Sequence, residues 1–308
     1  MDTIIEWLLQ GDVGIQYLTQ KYLINEDVNK LHNLRKRIAT EGWGKAFLDA
    51  RNISGHWGRG FYQPKWVSSH YTLLDLRYLE SEPVEPISET IALILAQSTA
   101  PNGSINESRS IPSGDVCVNG MFLNYAAFFG TPEEQLKSIV DYQLDNIMPD
   151  GGFNCEGKTK GAAHSSMHTT ISALEGIFEY ITAGCQYRVD ELHQARLNAE
   201  EFLLMHQLFK SDKTGDVIDQ KWTMLSFPSR WRYDILRALV YFTDADTPYD
   251  PRMNAALDLL ISKRKKDGTW PVQAKHPGLV YFDMEQTGTS SRFNTLRALR
   301  VLKKYGHP

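Results

Sequence analysis

Cysteine is scarce in this chain: Cys117, Cys155 and Cys185 are the only three in 308 residues. So few, in an odd number, build no disulfide framework and suit a reducing compartment. No apolar run approaches the roughly 20 residues that cross a bilayer as a helix. The start, Met1-Asp2-Thr3, carries acid where a secretory signal needs base, so the expected location is cytoplasmic. Base is not in excess either. Lys and Arg number 33 against 37 Asp and Glu, for a net charge of −4, which argues against a protein built to hold nucleic acid or an anionic membrane. The short run Lys263-Arg264-Lys265-Lys266 precedes a turn and reads as a solvated helix end. Period-two alternation is missing as well, so no strand of any length is expected. Against these absences, 42% hydrophobic and 11% aromatic content excludes a disordered chain.

What is present is a repeat. The stretch from Asp150 to Tyr180 opens on the turn Asp150-Gly151-Gly152-Phe153 and continues as a polar loop. It enters a helix near Ser165, with Ile171, Leu174, Ile177 and Phe178 at spacings of three and four. His164 and His168, four apart, would share one face of its first turn. Similar turns occur at Gly55, Gly103, Gly151, Gly215 and Gly268, successively 48, 48, 64 and 53 residues apart. Each is followed by a helix start, and two of these helices carry identical runs, Leu236-Arg237-Ala238-Leu239 and Leu296-Arg297-Ala298-Leu299. Second helices are expected over 88–96, 132–146, 190–206 and 251–262, and N-terminal helices over 3–23, 25–39 and 42–50. No linker divides the chain. Residues 1–308 read as a single domain, with 1–52 supplying N-terminal helices and 53–308 five repeats.

Units near 50 residues are longer than those of most open helical solenoids. The fragments Gly55-His56-Trp57-Gly58, Gly103-Ser104-Ile105-Asn106, Gly151-Gly152-Phe153-Asn154 and Asp267-Gly268-Thr269-Trp270 resemble the glycine–aromatic turns of the prenyltransferase and squalene-cyclase superfamily. The resemblance covers roughly residues 53 to 306. It implies an all-α fold, a closed (α/α)6 toroid in which the N-terminal helices complete the ring. Inner helices would begin near Trp66, Val118, Ser165, Trp231 and Ser291, with their N-terminal ends at the mouth of a cavity. A fold of this kind hosts several chemistries and does not name one.

Stacking the helix starts aligns His70, Met121, His168, Tyr233 and Phe293, and then Tyr71, Phe122, Thr169, Asp234 and Asn294. Such a mixture of polar and aromatic side chains is expected to converge on one central pocket. His70, Tyr233 and Asp234 are the candidate catalytic groups. Arg230, Arg232, Glu285, Arg292, Asn294 and Trp66 are candidates for substrate binding, since the planar arginine fork suits a diphosphate or carboxylate. The same arginines could instead pair internally with Asp234 or Glu285.

Asp115 and Cys117 precede the second inner helix, and His168-Thr169 opens the third. They resemble the Asp-x-Cys and His-Thr motifs on which protein prenyltransferase β subunits place zinc, and Leu174-Glu175-Gly176 resembles that family's Leu-x-Gly. Zn2+ is thus the implied cofactor, with Asp115, Cys117 and His168 as ligands and His164 and Cys155 as alternatives. Cys117 could equally be a small buried hydrophobe and Asp115 a helix cap. The acidic Asp-x-Asp-Asp motif of squalene-hopene type cyclases is absent, leaving Asp234 as the only acid placed for cyclase chemistry. The expectation is a zinc-dependent, prenyltransferase-like transferase acting on an apolar or isoprenoid-like substrate, with or without a protein partner. A non-catalytic toroid that binds a ligand or protein is the alternative, and a terpene cyclase the third reading.

Overall fold

The computed structural model describes residues 2–108, 112–157 and 161–306. Residues 158–160 of the polar loop before the third repeat helix lie outside that range. Among the described residues the chain is mostly helical. The N-terminal part holds α1 (Asp2–Leu9), α2 (Val13–Thr19), α3 (Val28–Ile38) and α4 (Gly42–Asp49). The helix expected over 3–23 is broken at Gly11-Asp12, where Asp12 caps α2 by accepting the Gly14 N–H; α2 then loosens into a π-helical turn, Gln20–Ile24. The repeats follow as α5 (Ser69–Tyr78) with α6 (Glu85–Ser98), α7 (Val116–Phe128) with α8 (Lys137–Leu144), and α9 (Met167–Thr182) with α10 (Val189–Met205). The last are α11 (Ile235–Asp244) with α12 (Asn254–Ser262), and finally α13 (Arg292–Tyr305).

All five turn glycines adopt left-handed backbone, with φ of 80°, 83°, 88°, 75° and 83° at Gly55, Gly103, Gly151, Gly215 and Gly268. A side chain would be strained there, and this is what the repeat spends its glycines on. A second device recurs two residues further on. The Trp57, Ile105, Phe153 and Trp270 amides donate to Ser69 Oγ, Asn119 Oδ1, Thr170 Oγ1 and Thr295 Oγ1, at 3.0, 2.7, 3.0 and 2.9 Å. Each turn is thereby tied to the first helical turn of its own repeat helix, while its large apolar side chain is fully buried. The fourth turn has Val217 at this position, half-buried and paired with Lys210 instead.

Neighbouring repeat helices touch: α5 with α7, α7 with α9, α9 with α11, and α11 with α13. The α13 helix also packs on α2, and α2 abuts Leu79 at the end of α5 through Gly14. The tightest crossing is α7 on α9. A β-carbon on Gly120 would lie 2.5 Å from the Ser172 carbonyl oxygen, and one on Gly176 would lie 2.3 Å from that of Gly120. Strand is confined, among the described residues, to a two-residue antiparallel ladder, Trp270–Pro271 with Ser290–Ser291, and isolated bridges, three at the turns and one joining Ser226 to Ala274. No described helix is long and apolar enough to cross a membrane.

Candidate functional site

Two regions carry the chemistry, one at each end of the repeat helices. At the N-terminal end, Asp115 precedes α7, Cys117 lies in its first turn, and Cys155 sits in the loop after the third glycine turn. Their ligand atoms all lie within 4.8 Å of one another. The α7–α9 contact explains the meeting, because it sets the loop leading into α9 beside the start of α7. Asp115 makes no side-chain capping hydrogen bond to α7, and its carboxylate lies beside that of Glu107. The Cys117 amide donates to Cys155 Sγ at 3.4 Å, and Cys155 Sγ lies 3.4 Å from Thr169 Oγ1. Hydrogen bonding between the sulfurs, with burial, raises the Cys117 thiol; the same hydrogen bond lowers that of Cys155 against the opposing effect of its own burial, so Cys155 is the readier thiolate. Glu107 closes the group by accepting the Asp115 N–H at 3.1 Å; burial, with the Asp115 carboxylate beside it, lifts it to about 7. Glu107 also lines a surface groove of about 580 Å3 together with Phe61 and Tyr62.

Two thiols and a carboxylate at such separations form a donor set suited to a tetrahedral ion with one position left open. The expected third ligand was His168, but Cys155 stands there. His168 faces away: its Nδ1 accepts the Tyr233 amide at 2.8 Å, and its ring meets Trp222 and Trp231 edge-on at 5.7 and 5.1 Å. His164 does not share a helix face with it, because α9 begins only at Met167. It is an exposed side chain 3.9 Å from Asp150. Lys65, which sequence reading passed over, acts electrostatically on Cys117, Asp115 and Glu107. Its ammonium is held 5.6, 5.2 and 5.3 Å from the ring centres of Tyr62, Trp66 and Trp231.

The other candidates at this end are engaged in packing. His70 is buried, with Nδ1 3.3 Å from the Tyr125 hydroxyl and Phe61, Tyr71 and Tyr125 edge-on around it. The Tyr233 hydroxyl donates to the Leu208 carbonyl. Asp234 caps α11, accepting the Arg237 N–H at 2.9 Å and the Ser226 hydroxyl at 2.8 Å. Arg230 pairs with Asp75 rather than Asp234. Glu285 receives the Phe293 amide and the Ser291 hydroxyl, Arg292 donates to the Trp7 carbonyl, and Asn294 to that of Pro271. The Arg232 guanidinium lies over the Trp231 ring at 4.6 Å.

Loop residues 275–285 cover this end. Trp66 Nε1 donates to the Pro277 carbonyl at 2.7 Å, and the Tyr281 hydroxyl accepts from Gly58 N–H and donates to the Val67 carbonyl. What is left between them is about 20 Å3. The expected central pocket at the helix N-termini is therefore filled by loop. Arg230, Arg292 and Trp66 are hydrogen-bonded to protein groups and Arg232 is laid over a ring, which the helix starts alone did not reveal.

Burial drives His70 down to about 3, and burial together with Arg237 and Arg232 takes His168 to about 4. An unfolded histidine titrates near 6.5, so below that pH the unfolded chain binds protons that the fold refuses. The share of stability that rests on these two histidines is complete above pH 6.5 and drains as pH falls towards 4, by up to about 1.4 kcal/mol per pH unit from His70. Glu107, lifted to about 7, works in the opposite direction over the upper part of that range. His70→Phe is expected to flatten the acid limb of a melting-temperature profile between pH 6.5 and 4; an unchanged slope would remove His70 as its source.

At the C-terminal end of the same helices lies an open cavity of about 390 Å3, lined from α2, α5, α7, α9, α11 and α13. Its polar wall is a set of ion pairs: Lys21 and Glu80, Arg77 and Glu179, Arg237 and Glu175, Arg300 and Asp244. Its apolar wall includes Leu18, Phe128, Phe178, Val240, Phe293 and Leu296. Nothing in the repeat pattern marked this end as hollow.

No family model and no curated protein matches the chain. Among solved structures, a polysaccharide lyase is similar over 95% of this chain and 87% of its own, at 13% identity and a TM-score of 0.52. The type II terpene cyclase MstE from Scytonema aligns over 91% of this chain and 99% of its own, at 14% identity and a TM-score of 0.38. The lyase likeness is one of fold, and it places the chain beside helical, toroid-like proteins.

Proposed function

We propose that the chain is a zinc-dependent enzyme, prenyltransferase-like in its chemistry, built as one closed (α/α)6 toroid and acting on an apolar or isoprenoid-like substrate. The observation that carries the reading is the meeting of Asp115, Cys117 and Cys155. When bound there, zinc would supply a Lewis acid with an open position for water or a substrate thiol, and a thiol so held is deprotonated. The residues around it have separate tasks. Cys155 and Cys117 would hold the ion as thiolates, whose two charges match its own, and Asp115 would complete the donor set, leaving the site with a net negative charge. Glu107, lifted to about 7 by burial and the neighbouring Asp115 carboxylate, would be the group placed to take a proton from a substrate thiol. Lys65, fixed by its three rings, offers positive charge to an anionic leaving group. The contact of α13 with α2 supports closure of the ring.

Elemental analysis of protein purified without chelator tests the metal. Close to one equivalent of zinc is expected, lost in Cys117→Ala and Cys155→Ala and kept in Cys185→Ala. Less than about a tenth of an equivalent, unchanged by Cys117→Ala, would sink the proposal. Diphosphate release from farnesyl diphosphate with a thiol acceptor tests the reaction. A specific observation favours the second reading, a non-catalytic toroid that binds a ligand or protein: His70, Tyr233 and Asp234 are all spent on packing and capping. Zinc without turnover would select it.

A further inference from the structure

The identical runs in α11 and α13 form an internal comparison. Arg237 and Arg297 occupy the same place in equivalent helices, and both line the cavity at the C-terminal end. Arg237 is satisfied. Its Nε and Nη2 grip the Glu175 carboxylate at 2.8 and 2.6 Å, and Nη1 donates to the Arg232 and Arg230 carbonyls at 2.9 and 3.2 Å. Arg297 is 8% exposed, yet has no hydrogen bond and no ion pair within 4 Å among the described residues. Its neighbours Lys21, Arg77 and Arg300 are each matched with an acid. The macrodipole does not account for it, because Arg297 lies eight residues before the end of α13, outside the last turn. A second unsatisfied donor lines the same space: the Tyr78 hydroxyl is buried without a partner. A buried cation with no acid in contact is costly, and burial lowers the Arg297 pKa from its usual value against the more distant pull of Asp234 and Glu175.

We infer that this cavity is a binding site for an organic carboxylate with an apolar body, whose carboxylate pairs with Arg297 as Glu175 pairs with Arg237. The planar guanidinium matches a carboxylate through two parallel hydrogen bonds. The Tyr78 hydroxyl is placed in the same wall as a further donor. About 390 Å3 is more than an inorganic ion fills, and the leucine and phenylalanine side of the wall suits a short aliphatic or aromatic body. The site does not depend on the metal. Cys117 lies eleven residues before Phe128 on α7, roughly 16 Å along the helix.

Octanoate is the probe, with octylamine and inorganic phosphate as controls, read by isothermal titration and by the melting temperature. Octanoate is expected to bind and to raise the melting temperature, and octylamine to do neither. Arg297→Gln should weaken octanoate binding at least tenfold, Arg297→Lys less, and Tyr78→Phe a fewfold. Zinc content should be unchanged in all three, so failure here is separable from failure at the metal centre. Since Arg297 makes no bond within the protein, Arg297→Gln should fold with an unaltered or higher melting temperature; Arg297→Lys carries the test if it does not. Octanoate binding equal in wild type and Arg297→Gln, or none at 10 mM, would overturn the inference. Phosphate binding as tightly as octanoate would overturn the apolar part of it.

Discussion

Asp75→Ala is expected to destabilise the fold by about 3–5 kcal/mol, the cost of removing one partner from a buried ion pair. Asp75 is 1% exposed and Arg230 5%, and the guanidinium lies 5.5 and 5.9 Å from the Trp66 and Tyr71 rings. Arg230 holds left-handed backbone, φ 58°, in the loop before α11. With Asp75 gone, its charge has no counter-ion and no route to water, so the loop must either pay desolvation or swing out. Swinging out would uncover Trp66 and loosen the lid that residues 275–285 form over it. The double variant Asp75→Leu, Arg230→Met removes both charges and should recover most of the loss. Urea unfolding measures both. A loss below about 1 kcal/mol for Asp75→Ala would show that the pair is dispensable.

Gly176→Ala is expected to cost up to about 3 kcal/mol, the upper range for overpacking a close-packed core. Its new methyl carbon would sit 2.3 Å from the Gly120 carbonyl oxygen, a backbone atom that cannot rotate aside. Gly120→Ala should do the same against Ser172. Either change drives α7 from α9, and the effect reaches beyond stability. Cys117 rides on α7, while Cys155 sits in the loop that enters α9, so parting the helices draws the two sulfurs apart. Both variants are expected to lose zinc as well as melting temperature. Wild-type melting in Gly176→Ala would mean that the crossing is looser than its geometry indicates.

These glycines show where the sequence could be read and where it could not. Gly55, Gly103, Gly151, Gly215 and Gly268 announced themselves because each sits between apolar runs in a polar turn, and all five have positive φ. Gly120 and Gly176 lie inside apolar helices, where a glycine marks close approach without naming the partner. Asp115 and Cys117 were legible from their place before a repeat helix. Cys155 was only an alternative ligand, because a loop has no period from which to compute where a side chain ends up. The expectation for His168 failed for a related reason. Equivalent helix starts need not face the cavity once long loops, such as 275–285, fold over them. The cavity at the opposite end is lined by the same helices, but its ion pairs join residues far apart in sequence, which repeat alignment does not pair.

That covering loop also orders events in time. The bonds from Trp66 to Pro277 and from Gly58 to Tyr281 join residues 211 and 223 positions apart, and those from Arg292 to Trp7 and Lys303 to Tyr22 span 285 and 281. During synthesis from the N-terminus, α5 to α9 can meet their neighbours as they emerge, whereas these bonds must wait until the last repeat exists. Until then the Trp66 face and the open side of α2 are bare apolar surface. The nascent chain is therefore most exposed to misassociation just before residues 277–303 arrive, and a chaperone's hold would matter most at that moment.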